Sequence, residues 1–290
     1  MLLPDFAYYR PDSMGEALEI MGRYGGSAKA LAGGTDLLAN LKRKTVKAEA
    51  VVSLDGIDGL NGLSASNGTI EIGPLTRAAR LSKDPLVTRF LAVLSQGASV
   101  LGSPQVRNRA TIGGNLCTAR PAGDLLGPLL VLDAKLVLKS AAGQREAPAH
   151  EFFTGPGQTV IKPEELLSKV LVKKLGSGQG GAYEKLGLRR AMEISLVNVA
   201  AYVELAADGT IAHARVALGA VAPTPMRAFQ AEESLRGAKA DEESVRRAAD
   251  LASSEARPID DHRGTAAYRR EVVKALTKRA LNRAIAAARG

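Results

Sequence analysis

Two pairs of consecutive glycines, Gly33-Gly34 and Gly113-Gly114, constrain this chain more than any other feature of its sequence. The first sits in Leu31-Ala32-Gly33-Gly34-Thr35-Asp36-Leu37, the second in Thr111-Ile112-Gly113-Gly114-Asn115. A residue without Cβ lets backbone N–H groups approach another surface closely and takes up φ > 0 without strain. Two readings of each pair are open. It is an ordinary turn, or its N–H groups form an anion-binding concavity suited to a diphosphate. The helix expected after Thr35 would add its positive N-terminal end. Two such loops would be able to clamp one pyrophosphate from opposite sides.

Around the loops the pattern is α+β, in three lobes. Ser13-Met14-Gly15-Glu16 predicts a capping box and a helix to about Tyr24. Short strands are expected over 28–32 and 50–54, with a helix capped by Thr35 through about Lys44. Asn67-Gly68 predicts a hairpin between 63–66 and 69–72. Helices follow over 76–82 and 85–102, the second carrying Leu86, Phe90, Leu91, Val93 and Leu94 on its apolar side; 111–115 reads as a loop and 124–132 as helical. Strands are expected over 135–138 and 166–172. A further hairpin, 195–205 and 211–221, turns at Asp208-Gly209, and helices over 232–235, 242–254 and 265–288 follow. The last carries a stripe of Tyr268, Val272, Ala275, Leu276 and Ile285. These breaks divide the chain at 1–56, 57–176 and 177–290.

The residue inventory excludes several functions. The one cysteine, Cys117, permits no internal disulfide and no Cys-ligated iron–sulfur cluster. His150, His213 and His262 lie far apart, which argues against zinc. The net charge of +9 is spread along the chain and aromatics make up only 4%, so a base-stacking platform for nucleic acid is not expected. Lys and Arg are frequent beyond Arg257, giving either a solvated basic surface or a docking face for an acidic partner. The opening MLLPDFAYYRPD lacks a basic leader followed by an apolar core, and no apolar run suggests a transmembrane segment, so a cytoplasmic setting is expected.

Gly176-x-Gly178-x-x-Gly181 matches the dinucleotide fingerprint in form. A true one leaves a strand and opens a helix, and the residues after Gly181 do not read as an amphipathic helix. The expectation is a flexible boundary loop with no NAD. Asp124, in Arg120-Pro121-Ala122-Gly123-Asp124, is placed either to cap the following helix or to accept hydrogen bonds from a ribose or ribityl hydroxyl; the two roles are compatible.

Four separated segments together resemble one family. They are LAGGTDLL at 31–38, ATIGGNLCTARPAGDLLGPLLVLDA at 110–134, YEKLGLRRAMEISLVNVA at 183–200 and HRGTAAYRREV at 262–272. In that order they resemble the flavin subunits of molybdenum hydroxylases, in particular the medium subunits of carbon monoxide dehydrogenase-like enzymes, over nearly the whole chain. The resemblance implies a vanillyl-alcohol-oxidase (PCMH)-type FAD-binding fold of two lobes, plus a C-terminal α+β lobe. By matching motif, Ala32, Gly33, Gly34, Thr35 and Asp36 belong to a first FAD loop, and Thr111, Gly113, Gly114 and Asn115 to a second. Asp124 matches an FAD-contacting Asp, Lys185 of the YxK segment is a candidate flavin contact, and Leu101 belongs with the cofactor-binding positions. Leu166 or Leu167, in PEELL, lines the flavin, with Leu167 preferred.

The resemblance further implies non-covalent FAD on this chain, with molybdenum cofactor and [2Fe-2S] clusters on a large and a small partner subunit, in a dimer of heterotrimers. A branch of the family, resembling hydroxybenzoyl-CoA reductases, carries a further cluster on this subunit, which a single cysteine cannot hold. Electrons from the partner's clusters would leave through FAD to NAD+, a quinone or oxygen. No acid–base constellation is evident. Two alternatives stand beside this reading: a self-contained flavin oxidoreductase with its own substrate pocket, and a non-catalytic basic interaction module.

Overall fold

Three hydrophobic cores organise the chain, each built on its own sheet. The computed structural model describes residues 2–189 and 192–290; Arg190 and Ala191, within the third resembling segment, lie outside the described residues. The first core belongs to a small parallel sheet in the order β1 (Ala7–Tyr9), β3 (Ala50–Ser53), β2 (Ala28–Leu31). Helix α1 (Met14–Tyr24) packs Ala17, Leu18, Ile20 and Met21 against it. Ser13 caps α1 by accepting from Glu16 N, while the Glu16 carboxylate reaches back to Asp12 N, one residue before the usual box partner. Helix α2 (Leu37–Lys42) lies between β2 and β3. It starts later than expected: Asp36 occupies the cap position without a side-chain cap, and Thr35 does not cap it.

The second core belongs to a five-stranded antiparallel sheet in the order β4 (Leu63–Ser66), β5 (Thr69–Ile72), β10 (Leu166–Lys173), β6 (Lys135–Ser140), β7 (Gly143–Pro148). The Asn67-Gly68 turn has φ of 49° and 74°, the left-handed pair that a two-residue hairpin needs. Between β5 and β6 run α3 (Ala78–Leu81), α4 (Pro85–Phe90), α5 (Ala92–Ser99), α6 (Pro104–Arg107), α7 (Ile112–Thr118) and α8 (Leu126–Val131). The helix expected over 85–102 is broken at Leu91, whose φ/ψ of −137°/46° is not helical and whose side chain is fully buried. The stretch expected as a loop at 111–115 is the start of α7: Thr111 is its N-cap, accepting from Gly114 N at 3.0 Å. A two-stranded ribbon, β8 (Phe153–Gly155) and β9 (Gln158–Thr159), precedes PEELL. There Glu165 is buried by a two-pronged ion pair to Arg145 and also accepts from Lys162 N, which pulls its carboxyl below the ordinary value.

The third core lies under an antiparallel sheet of β11 (Gln179–Leu186), β12 (Val197–Leu205), β13 (Ile211–Gly219) and β14 (Met226–Arg227), in that order. Helices α9 (Phe229–Leu235), α10 (Glu242–Glu255) and α11 (Ala266–Arg289) cover one face. The other face packs on the second core through Tyr183, Ala200, Tyr202 and Ala217. Residues alternate along β12 between the two cores because successive side chains leave a strand on opposite faces. The fingerprint-like glycines open no helix: Gly176 and Gly178 lie in the turn joining β10 to β11, as expected of a boundary loop, whereas Gly180 and Gly181 lie within β11, where a Cβ on Gly180 would come 2.1 Å from Ala284 O of α11. On α11, Val272, Leu276 and Ile285 are buried as expected, but Tyr268 and Ala275 are exposed. The basic C-terminal stretch is not one free face. Arg269 is buried, pairing with Asp261 and donating to Leu196 O and Ala220 O, while Lys274 pairs with Asp250 and Arg283 with Glu184. Among the described residues no helix is long and apolar enough to cross a membrane.

Candidate functional site

The first glycine loop leaves β2 and presents its backbone. The N–H groups of Ala32, Gly33, Gly34, Thr35 and Asp36 donate to no acceptor among the described residues. Gly34 has φ of 76°, a conformation that glycine supplies without strain. Gly33 is needed for a different reason: a Cβ there would lie 2.0 Å from Arg109 O. That close approach seats the first loop directly against the segment entering α7. A cleft opens at this junction, lined among others by Ala32, Gly33, Asp55, Arg77, Arg109 and Thr111. Of these five residues, whose N–H groups are unengaged among the described residues, Ala32 and Gly33 line the cleft with two arginines, a combination that suits an anion such as a diphosphate. Arg77 and Arg109 carry no signal in the sequence pattern; Arg109 stands two residues before Thr111, and the Arg77–Thr111 bridge that places Arg77 joins chain segments remote in sequence.

The second glycine pair is built differently. Ile112 N donates to Thr76 O, Gly113 N to Pro74 O, Gly114 N to the Thr111 hydroxyl and Asn115 N to Thr111 O. A Cβ on Gly113 would lie 2.7 Å from Pro74 Cβ and 2.8 Å from its carbonyl oxygen. The expectation that both loops offer the same free N–H groups is therefore corrected: this pair starts a helix and lets α7 pack on Pro74. Thr111 still lines the cleft.

Asp124 and Lys185 meet in a buried cluster. Lys185 Nζ donates to Asp124 Oδ2 at 2.9 Å, and to Glu193 O and Val100 O. The Tyr183 and Ser195 hydroxyls donate to Asp124 Oδ1 at 2.7 and 3.1 Å. Asp124 does not cap α8: Leu125 holds the cap position without a side-chain bond. Burial raises the Asp124 carboxyl above its usual range, opposed by the Lys185 charge and by the Lys185, Tyr183 and Ser195 hydrogen bonds. Burial beside that carboxylate pushes Tyr183 well upward, so its hydroxyl stays protonated and donates. Asn115 connects the two centres, its Oδ1 accepting from Leu125 N at 3.4 Å. Leu101 is buried next to this cluster, its carbonyl accepting from Arg107. Leu166 and Leu167 are packed into the first and second cores respectively, and neither lines the cleft.

Comparison with known proteins decides which family, and with it which cofactor, the chain belongs to. Residues 4–172 match the FAD-binding domain of molybdopterin dehydrogenases, and residues 182–284 the carbon monoxide dehydrogenase flavoprotein C-terminal domain. The carbon monoxide dehydrogenase medium chain of Hydrogenophaga pseudoflava is 35% identical over 284 residues, covering 98% of each chain. The chain belongs to the FAD-binding medium subunits of the molybdenum hydroxylases. A xanthine dehydrogenase FAD-binding subunit of Escherichia coli O157:H7 is 32% identical, over 99% of this chain and 98% of that one. The solved carbon monoxide dehydrogenase of Hydrogenophaga pseudoflava superposes with a TM-score of 0.95 at 36% identity, covering 99% of both chains. Quinoline 2-oxidoreductase of Pseudomonas putida 86 does so with 0.93 at 28% identity, over 100% of both. The expected PCMH-type fold is that of this family, and FAD is its cofactor. The free N–H run and the two arginines fit the diphosphate of FAD. Among the described residues no group of His, Cys, Asp and Glu is placed to hold a metal.

Proposed function

We propose that this medium subunit holds FAD non-covalently and passes electrons from the [2Fe-2S] clusters of a small partner subunit to NAD+, a quinone or oxygen. The run of five unengaged N–H groups at Ala32–Asp36, against the backbone of Arg109, carries this reading. In it these groups bind the diphosphate, with Arg77 and Arg109 neutralising its charge and Thr111 bounding the cleft. Leu101, Asn115, Asp124 and Lys185 position the rest of the cofactor; Gly113 and Gly114 serve by building α7, and Leu167 by supporting the sheet. FAD supplies the exchange between one-electron and two-electron carriers, and the protein supplies placement and electrostatics. Among the described residues no His or Cys lines the cleft, which supports a cofactor without a covalent tether.

The proposed division is 1–56 and 57–176 for the FAD-holding lobes and 177–290 for the C-terminal lobe, in line with the three cores. The proposed assembly is a cytoplasmic dimer of heterotrimers with a large molybdenum subunit. The test is gentle purification of the tagged chain from its native host. Two further polypeptides are expected with it, bringing iron, acid-labile sulfide and molybdenum, and acid precipitation is expected to release all the flavin. A chain that comes out alone with FAD and oxidises a small substrate unaided would instead establish a self-contained flavoenzyme.

A further inference from the structure

We propose that Tyr183 and Ser195 are positioning residues for the cofactor: their hydroxyls, from the C-terminal lobe, hold the Asp124 carboxylate of the second lobe ionised and fixed for FAD. The inference rests on the reading above that Asp124 contacts FAD.

Three observations carry it. Both hydroxyls converge on one oxygen, Oδ1, at 2.7 and 3.1 Å, while Lys185 holds the other. All three polar side chains that hold the carboxylate are nearly out of water: Tyr183 is 4% exposed, Ser195 1%, and the Lys185 side chain 10%. A buried carboxylate keeps its charge only when it is paired and hydrogen-bonded. The donors also come from a different lobe than their acceptor. Tyr183 and Lys185 stand on β11, and Ser195 precedes β12, whereas Asp124 precedes α8. The C-terminal lobe thereby sets the charge and the rotamer of an Asp in the FAD-holding lobe. Ser195 would not be singled out by sequence, since nothing in its spacing relates it to Asp124.

Among the described residues, the charged and titratable groups facing Asp124 are Lys185 and Tyr183 of β11. Neither α5 nor α8 carries a charged residue, and in the segment before β12 the Glu193 carboxylate is paired with Arg189. Hydroxyl donors favour the ionised carboxyl, so removing one raises its pKa further. FAD retention that requires the anion is then present at high pH and lost as pH falls through the raised value.

The experiment uses the assembled complex carrying Tyr183→Phe, Ser195→Ala or Asp124→Asn, with FAD content and FAD dissociation measured at about pH 8 and about pH 6. Loss of a hydrogen bond to a charged group predicts roughly tenfold weaker FAD retention at the lower pH for Tyr183→Phe and Ser195→Ala. Retention should recover toward wild type at the higher pH, so that each variant loses FAD over this interval more steeply than wild type does. A packing defect would weaken retention equally at both. Equal weakening at both pH values, or wild-type retention at both, overturns the positioning role. Ser195→Ala removes a single atom, so it decides the matter if Tyr183→Phe does not assemble. Full FAD retention in Asp124→Asn at both pH values would instead overturn the reading of Asp124 as a cofactor contact.

Discussion

Between Ala32 and Asp36, five successive N–H groups donate to no acceptor among the described residues, whereas those of Ile112, Gly113, Gly114 and Asn115 are all engaged inside the fold. Both stretches carry a Gly-Gly pair between aliphatic and polar residues, so the difference arises from the backbone on either side of each pair. After Gly34 the chain needs two more residues before α2 begins at Leu37, and the backbone between is left open. Before Gly113 a threonine caps the chain at once, and the glycines become the first turn of α7. One pair offers a binding surface; the other allows a helix to press against Pro74. A Gly-Gly pair thus has two uses in one protein, and only the state of its N–H groups separates them.

Substitutions at the glycines should break the comparison in a graded order. The largest effect is expected at the first loop. Gly33→Ala places a methyl 2.0 Å from a backbone oxygen and must part the two segments that form the cleft. Gly34→Val adds a β-branched side chain at φ of 76°, a strain of about 1–3 kcal/mol. Complexes carrying either variant should lose FAD, read as the flavin-to-protein ratio, while circular dichroism stays near wild type for Gly34→Val. A folded Gly34→Val variant with full FAD would remove the first loop from the site.

The second loop should answer in stability. Gly113→Ala forces α7 away from Pro74, at a cost of about 1–3 kcal/mol for overpacking. The measurement is a lowered Tm with FAD still bound below it. Thr111→Ala removes the cap of α7 and should cost about 1 kcal/mol, with a smaller fall in Tm. Smallest of all is Gly114→Ala, whose Cβ would meet only the Thr111 hydroxyl at 3.0 Å. The gain in helix propensity, about 1 kcal/mol, opposes that contact, and FAD content should stay at the wild-type level. Loss of FAD from folded Gly114→Ala would restore the second pair to direct binding.

The sequence carries local signals well and partnerships poorly. Ser13, Asn67-Gly68, Asp208-Gly209 and the periodic face of α11 announce their elements because capping, left-handed turns and helical spacing act within a few residues. The break at Leu91 is invisible in the pattern, since burial of that side chain in the second core overrides a continuous helical periodicity. Thr111 is visible as a polar residue before glycines, yet only its bonds to Gly114 N and Asn115 N show that a helix starts there, and only the acceptors on Thr76 and Pro74 show that its first N–H groups are taken up by the fold. The placing of Asp124 and Lys185 at one site comes from family resemblance, and no spacing rule predicts their 2.9 Å contact. Tyr183 and Ser195 join them through packing between lobes, which leaves no periodic trace. The glycine fingerprint at Gly176–Gly181 shows the converse: a local match that the pairing of β11 with β12 overrides.

The most direct test of the account is amide hydrogen exchange, read by peptide mass spectrometry on the FAD-loaded complex and on the same complex stripped of flavin. Free N–H groups exchange readily, and groups bonded within a packed helix do not. The N–H groups of Ala32–Asp36 should exchange fast without FAD and become strongly protected with it, while Ile112–Asn115 stay slow in both states. Unprotected Ala32–Asp36 amides in the FAD-loaded complex, or new protection confined to Ile112–Asn115, would contradict the assignment of the first glycine loop as the diphosphate cradle.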